Sequence, residues 1–156
     1  MQISKTKDNF LEIKTKSAVI LIDHKITIND VSLEGAGEYE IGEVSVEGVD
    51  DNIYICQADE IGFALVNFKE KISKEAVEKL SSVLLLFARV DGSVEAAAEQ
   101  VGQIEPNLTI YTGSKESKDK LKAAGITFSD ADSIKVSKKD LEESGDARFV
   151  EIDYAE

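Results

Sequence analysis

The sequence is short of the residues that most often bind metals and carry redox chemistry. It contains one cysteine, Cys56, and one histidine, His24. A lone cysteine closes no intrachain disulfide, which suits a reducing compartment. It also excludes zinc sites built from several thiolates, and one imidazole cannot make a histidine-rich site. Pro106 is the single proline, and tryptophan is missing. Positive charge is scarce too: 18 Lys and Arg stand against 31 Asp and Glu, a net charge of −13. Affinity for nucleic acid comes largely from Lys and Arg. Here Lys69, Lys71, Lys74 and Lys79 are interleaved with Glu70, Glu75 and Glu78, so they form no basic stripe. Neither nucleic acid nor an anionic membrane is expected as a partner. No run of apolar residues reaches bilayer-spanning length. The opening MQISKTKDNF carries no apolar segment of a secretory signal. The expected location is cytoplasmic.

What remains is the composition of an ordinary globule, 42% hydrophobic and 31% charged over 156 residues. That length suits one domain, 1–156, with a sizeable core. The stretch Val31 to Val49, VSLEGAGEYEIGEVSVEGV, stands out because it repeats itself. Val31-Ser32-Leu33-Glu34-Gly35 returns as Val44-Ser45-Val46-Glu47-Gly48. Apolar and polar residues alternate through both copies, the period of a half-buried strand. Gly35, Gly37 and Gly42 are turn or bulge positions by residue type.

The rest of the chain divides in character. Up to Asn67 the pattern is β. Strands are expected around Phe10 to Thr15, at Ala18 to Asp23 (buried on both faces), and at Ile26 to Val31. Others are expected at Gly37 to Ile41, Glu43 to Val49, Ile53 to Gln57 and Gly62 to Asn67. After that, helices alternate with strands. Ser73 and Ser93 are N-caps, with apolar faces of Ala76, Val77 and Leu80, then Val94, Ala97, Ala98 and Val101. Val83 to Ala88 is the most apolar stretch and reads as a central strand. Leu108 to Tyr111, Ile126 to Phe128, Ile134 to Val136 and Arg148 to Ile152 read as further strands. A helix is expected over Ser117 to Ala124, stopped by Gly125, and a last helical turn over Ser137 to Glu143.

GAGEYEIGEVSVEG, Gly35 to Gly48, resembles the GPGEYEVxGVxVxGI stretch of the small UlaG-like branch of the metallo-β-lactamase fold family. Other segments are similar in the same order: the opening through Ile22-Asp23, Ser73 to Gly113, and Ser133 to Asp153. The resemblance implies an α/β fold, an αββα sandwich. Its β-rich N-terminal half would be followed by a mixed C-terminal half, with a dinuclear metal site at one edge. It does not imply the family's chemistry. The marker His-x-His-x-Asp-His is missing, because the chain passes from Ile22-Asp23-His24 to the GEYE stretch within a few residues. Ala64 and Asn67 stand where the family's His-x-Gly-Asp segment has its histidine and aspartate. Thr112-Gly113 stands where a last ligand histidine follows a strand, and Lys7-Asp8-Asn9 replaces an early Gly-His-Ser.

The candidates for a vestigial cleft are Asp8, Asp23, His24, Glu38, Glu40, Asn67 and Gly113. No residue is assigned as catalytic or as a metal ligand, and no cofactor is expected. Each candidate has a plainer reading. His24 suits a surface turn, since a general base needs a partnered nucleophile. Cys56 suits packing in the strand IYICQ, on the side of Tyr54 and opposite Ile53 and Ile55. Glu38 and Glu40 share one strand face and suit a solvated surface. Gly113-Ser114-Lys115 suits a loop and helix cap, because the full phosphate-loop pattern is missing. Asp130 and Asp132 open like a calcium loop without its later ligands. The leading expectation is a non-catalytic protein that has lost its dinuclear metal site and serves as an interaction, assembly or ligand-binding module. Its partner would be an unknown protein or a second copy of itself. The alternative is a metal-dependent hydrolase with a carboxylate site rebuilt from Glu38, Glu40 and Asp23, since Mg²⁺ and Ca²⁺ accept oxygen ligands alone.

Overall fold

The computed structural model describes residues 1–130, 133–143 and 145–152. The fold is mixed α/β and rich in strands, with two sheets and four helices among the described residues. The first sheet is built mostly from the start of the chain: β1 (Gln2–Lys5), β2 (Leu11–Lys14), β3 (Val19–Ile22), β4 (Ile26–Ile28) and β5 (Val31–Ser32) form an antiparallel meander. A strand from far along the chain, β13 (Ser133–Lys135), pairs with β1 at the edge and makes the sheet six-stranded.

The second sheet has eight strands. β6 (Gly37–Ile41), β7 (Val44–Asp50), β8 (Ile53–Ala58) and β9 (Ile61–Phe68) are antiparallel neighbours. β10 (Leu85–Val90), β11 (Leu108–Gly113) and β14 (Asp146–Glu151) then continue parallel to β9, with β12 (Ser129–Asp130) at the far edge. Three hairpins close on two-residue loops with both residues at positive φ: Asn29-Asp30, Gly42-Glu43 and Asp59-Glu60. That geometry matches the twist of antiparallel strands.

Helices α1 (Lys74–Leu80), α2 (Val94–Ile104) and α3 (Lys115–Ala123) follow β9, β10 and β11. Ser73, Ser93 and Ser114 cap them, each accepting a hydrogen bond from the backbone N–H three residues on. All three pack on one face of the eight-stranded sheet, where Ala76, Leu80, Val94, Ala97, Val101 and Leu121 meet Ala64, Val66, Leu86, Ala88 and Tyr111. The other face of that sheet packs on the six-stranded sheet. Ile3, Leu11, Ile13, Ile20 and Ile28 meet Val46, Phe63, Leu65, Leu85, Phe87 and Ile110 there. The short α4 (Lys138–Glu142), with a Ser137–Asp140 capping box, adds Leu141 to this inter-sheet core.

Several expectations need correction. The Ala18 to Asp23 strand is buried on one face only: Ile20 and Ile22 point inward, while Val19 is 37% exposed. Its outward side shares a face with Lys14 and Gln2, both exposed. The two copies of the repeat are not equivalent. Only Val31-Ser32 of the first is strand, and it closes the six-stranded sheet; the second is β7, in the middle of the other sheet's antiparallel half. The third helix begins at Lys115 rather than Ser117, because Ser114 is its cap. Ile126 to Phe128 is not a strand. Phe128 is held by its ring instead, edge-on to Tyr111 and Phe149 with centroids 5.6 Å and 5.5 Å away.

Gly35 carries the chain from one sheet to the other at φ +77°. Both sides of its peptide environment are held by tyrosines. Its N–H donates to Tyr54 Oη at 2.8 Å, and Tyr39 Oη donates to its carbonyl at 3.0 Å. The crossing lies on Gly48, where a Cβ would run into the Gly35 carbonyl oxygen. The Gly35 to Gly48 stretch therefore works as a clasp between the sheets.

Candidate functional site

The three parallel strands β9, β10 and β11 carry the same pattern on their inward side. Phe63, Leu65 and Asn67 alternate along β9, as do Leu85, Phe87 and Arg89 along β10 and Leu108, Ile110 and Thr112 along β11. The strands are in register, so these residues form rows. Leu65–Phe87–Ile110 is an apolar row in the inter-sheet core, and Asn67–Arg89–Thr112 is a polar row one step above it, at the carboxyl ends of the strands. In open α/β sheets that end is where ligands are usually received.

A cavity of about 180 Å³ opens at this row. Leu11, Ile22, Leu65 and Phe87 line its apolar part. The β3–β4 turn, Asp23 to Lys25, and the turn Asp51-Asn52 form the rest of its wall, with Tyr54, Asn67, Arg89 and Thr112. The β3–β4 turn is tight. Asp23 Oδ1 accepts from the Lys25 N–H at 2.7 Å, and the Asp23 N–H donates to the Lys25 carbonyl at 3.0 Å. Arg89 reaches across to it: Nη1 donates to the Asp23 carbonyl at 3.1 Å, while Nε lies 2.7 Å from Asp91 Oδ2. Asn67 holds the other turn, its N–H donating to the Asn52 carbonyl at 2.8 Å. Its side-chain Oδ1 is buried without a hydrogen-bond partner among the described residues. Tyr54 accepts from Gly35, and burial raises its phenol above the ordinary value, partly offset by that hydrogen bond.

Of the sequence candidates, the structure brings together Asp23, His24 and Asn67 at this cavity. His24 is exposed at 63%, with Nδ1 3.5 Å from Asp23 Oδ1 and no nucleophile between. Asp8 lies in the β1–β2 turn, at the same end of the six-stranded sheet as Asp23, but does not line the cavity. Gly113 ends β11 and gives its carbonyl to the Ile152 N–H at 2.9 Å; it faces a separate surface hollow beside α3. Glu38 and Glu40 are exposed on the opposite face of the eight-stranded sheet from Tyr39, over a shallow depression. The Glu38, Glu40 and Asp23 trio is thus divided between two places. Asp132, and the side chain of Asp130, lie outside the described residues. Cys56 sits in the inter-sheet core beside Tyr54, and burial pushes its thiol up to about 12. A thiol so raised is a packing group at neutral pH.

Sequence reasoning missed Arg89, Thr112 as a lining residue, Tyr54 and the Asp51-Asn52 turn. The signal for Arg89 was in the alternation: Leu85 and Phe87 put it on the inward face of a strand that otherwise reads as buried throughout.

The donor set decides what the cavity can do. Among the described residues, no group of three or more His, Cys, Asp or Glu is placed to share a metal ion. At the cavity, the carboxylates Asp23 and Asp51 are accompanied by the cations Lys25 and Arg89. A guanidinium facing the same space disfavours a divalent cation by direct repulsion. No helix among the described residues is long and apolar enough to cross a membrane. No family model matches the chain, and no curated protein or solved structure matches it.

Proposed function

We propose that the chain is a small-molecule binding protein without hydrolytic activity, on a truncated metallo-β-lactamase-like scaffold that has lost its metal site. The observation that carries this reading is the cavity at the carboxyl ends of the parallel strands, where apolar walls meet a polar row. A concave site that joins apolar walls to placed polar groups is the usual setting for a small ligand. Two packed sheets with helices outside one of them suit such a scaffold with one outer layer missing. The proposal places the lost metal site near Asp23, His24 and Asn67. Lys25 and Arg89 bring positive charge there, with Arg89 paired to Asp91.

The test is a thermal-shift screen of protein purified without chelator against a metabolite set. It is run in parallel with metal analysis and assays on phosphodiesters, lactones and β-lactams. The expected result is stabilisation by at least one uncharged or weakly polar compound, through preferential binding to the folded state. That stabilisation should be lost in Ile26→Trp, which puts an indole at a residue lining the cavity. Stoichiometric bound metal with turnover of any of those substrates would overturn the reading.

A second reading, assembly with a second copy, is favoured by one observation. The outward face of the six-stranded sheet carries exposed Val19 beside half-buried Leu21. Sedimentation at high concentration would show a dimer, and Val19→Lys would abolish it. A monomer at all concentrations removes that reading.

A further inference from the structure

We infer that the free edge of β6 receives an extended segment of another protein, which pairs with it as a further strand and carries lysine or arginine at alternate positions. The inference does not depend on the cavity. Three observations support it.

The first is the edge itself. β6 ends the eight-stranded sheet, with β7 on one side and no strand on the other among the described residues. Its hairpin closes on Gly42-Glu43, both at positive φ, which makes Ile41 and Val44 a hydrogen-bonded pair. Back along the register, Tyr39 and Gly37 therefore also bond to β7, at Val46 and Gly48. The N–H and C=O of Glu38 and Glu40 are left pointing away from β7, toward the open edge. Such groups are a template for an added strand. The second is charge. The Glu38 and Glu40 side chains share one face, are exposed, and meet no cation among the described residues. Glu47, beside Glu38 on β7, shows the complement: Lys79 Nζ lies 3.1 Å from it. In an antiparallel partner the residues opposite Glu38 and Glu40 are two apart, with side chains on the glutamate face. Opposite charge there is favourable and like charge is not. A second copy of this chain is thereby rejected, since β6 against β6 sets glutamate opposite glutamate in a protein of net charge −13. The third is access. Inward of Glu38 and Glu40 the outer face opens into a trough of about 540 Å³, bounded on its far side by Ser82 and Val83, and no helical residue lines it. An incoming strand meets both carboxylates without displacing any element.

Three acetylated and amidated peptides serve as probes. Thr-Lys-Val-Lys-Val-Thr has its lysines on one face of a strand. Thr-Val-Lys-Lys-Val-Thr has the same composition with its lysines on opposite faces. The third is the first peptide N-methylated at both lysines, which removes the donors that would bond to Glu38 and Glu40. Each is titrated by NMR into the full chain. The expected result is that the alternating peptide binds about fivefold or more tightly than the adjacent one. It should also slow amide exchange at Glu38 and Glu40, and N-methylation should abolish binding. The double variant Glu38→Gln/Glu40→Gln, at two exposed positions, should lose the preference, and its thermal melt confirms that it is folded. Equal binding of the alternating and adjacent peptides overturns the inference, because diffuse attraction to an acidic surface does not tell them apart. Binding that survives N-methylation overturns it as well, as does binding of no peptide at millimolar concentration. Spermidine is the control for charge without a backbone: binding as tight as that of the alternating peptide overturns the added strand.

Discussion

Arg89 Nη1 donates to the main-chain carbonyl of Asp23 at 3.1 Å, joining the end of β10 to the turn between β3 and β4. The two residues are 66 positions apart, Arg89 in a strand of the eight-stranded sheet and Asp23 in a turn of the six-stranded one. The bond therefore ties the two sheets together at one end, and both residues line the cavity.

Replacing Arg89 with Met should lower stability by about 1.5–3 kcal/mol, the range for hydrogen bonds to charged groups. The side chain is only 18% exposed, so solvent screens it little. The loss also leaves the Asp91 carboxylate without its ion-pair partner. Urea melts measure it, and faster amide exchange at Lys25 should report loosening of the turn. Lys120→Met is the control, because its pair with Glu116 is exposed on both sides and should matter little. Equal effects of the two changes would refute the role given to Arg89.

Asn67→Leu should act in the opposite direction. It replaces a buried oxygen without a partner by an apolar group of similar size, at the top of an apolar column. The expected gain is about 1–2 kcal/mol, with the urea midpoint rising at constant slope. Binding sites commonly hold such groups at a cost to stability. A clear loss of stability would mean that Asn67 is a structural residue.

The β-rich first half and the alternating second half were legible because hydrophobic periodicity reports local structure directly. Ser73 and Ser93 were legible as caps for the same reason: their partners are three residues away. What a single strand's sequence could not show was which strands become neighbours. Lys135 pairing with Gln2 is a tertiary fact, as is the row Asn67–Arg89–Thr112. Asp23, His24 and Asn67 were found as candidates through a resemblance, and they do converge. Glu38 and Glu40 were found as carboxylates two apart on one strand, and they lie on the other face of their sheet. Alternation placed them together but could not say which face was inward.

Two glycines separate a packing requirement from a backbone preference. Gly48→Ala forces a Cβ into the Gly35 carbonyl oxygen, which is held on both sides by the tyrosine clasp. Overpacking of this kind costs about 1–3 kcal/mol. Gly102 lies within α2 with open space around its missing side chain. Gly102→Ala should stabilise by about 0.5–1 kcal/mol, the usual gain in a helix interior. Chemical denaturation of both variants checks the pair. If Gly48→Ala is neutral, the clasp does not hold the sheets in the way described.

The alkaline limb of stability follows from two buried groups. Burial pushes Cys56 from an ordinary 9.0, and Tyr111 from an ordinary 10.0, each up to about 12. Both are neutral when protonated, so the folded protein keeps protons that the unfolded chain gives up. Their contribution is fully present below the unfolded values and is lost as pH rises toward 12. From pH 9 to 10 only Cys56 contributes, with a slope near 1.4 kcal/mol per pH unit at most. Above pH 10 Tyr111 joins, and Tyr54, also raised by burial, adds in the same direction. Urea melts at pH 8, 9, 10 and 11 should show stability falling and the fall steepening. Cys56→Ala should flatten the segment between pH 9 and 10 while leaving the steeper one above it. The slope is the readout rather than the level, because the truncation also removes packing. A thiol reagent should label Cys56 at pH 8 only as fast as the protein unfolds. Rapid labelling of the native protein would show that the thiol is neither buried nor raised.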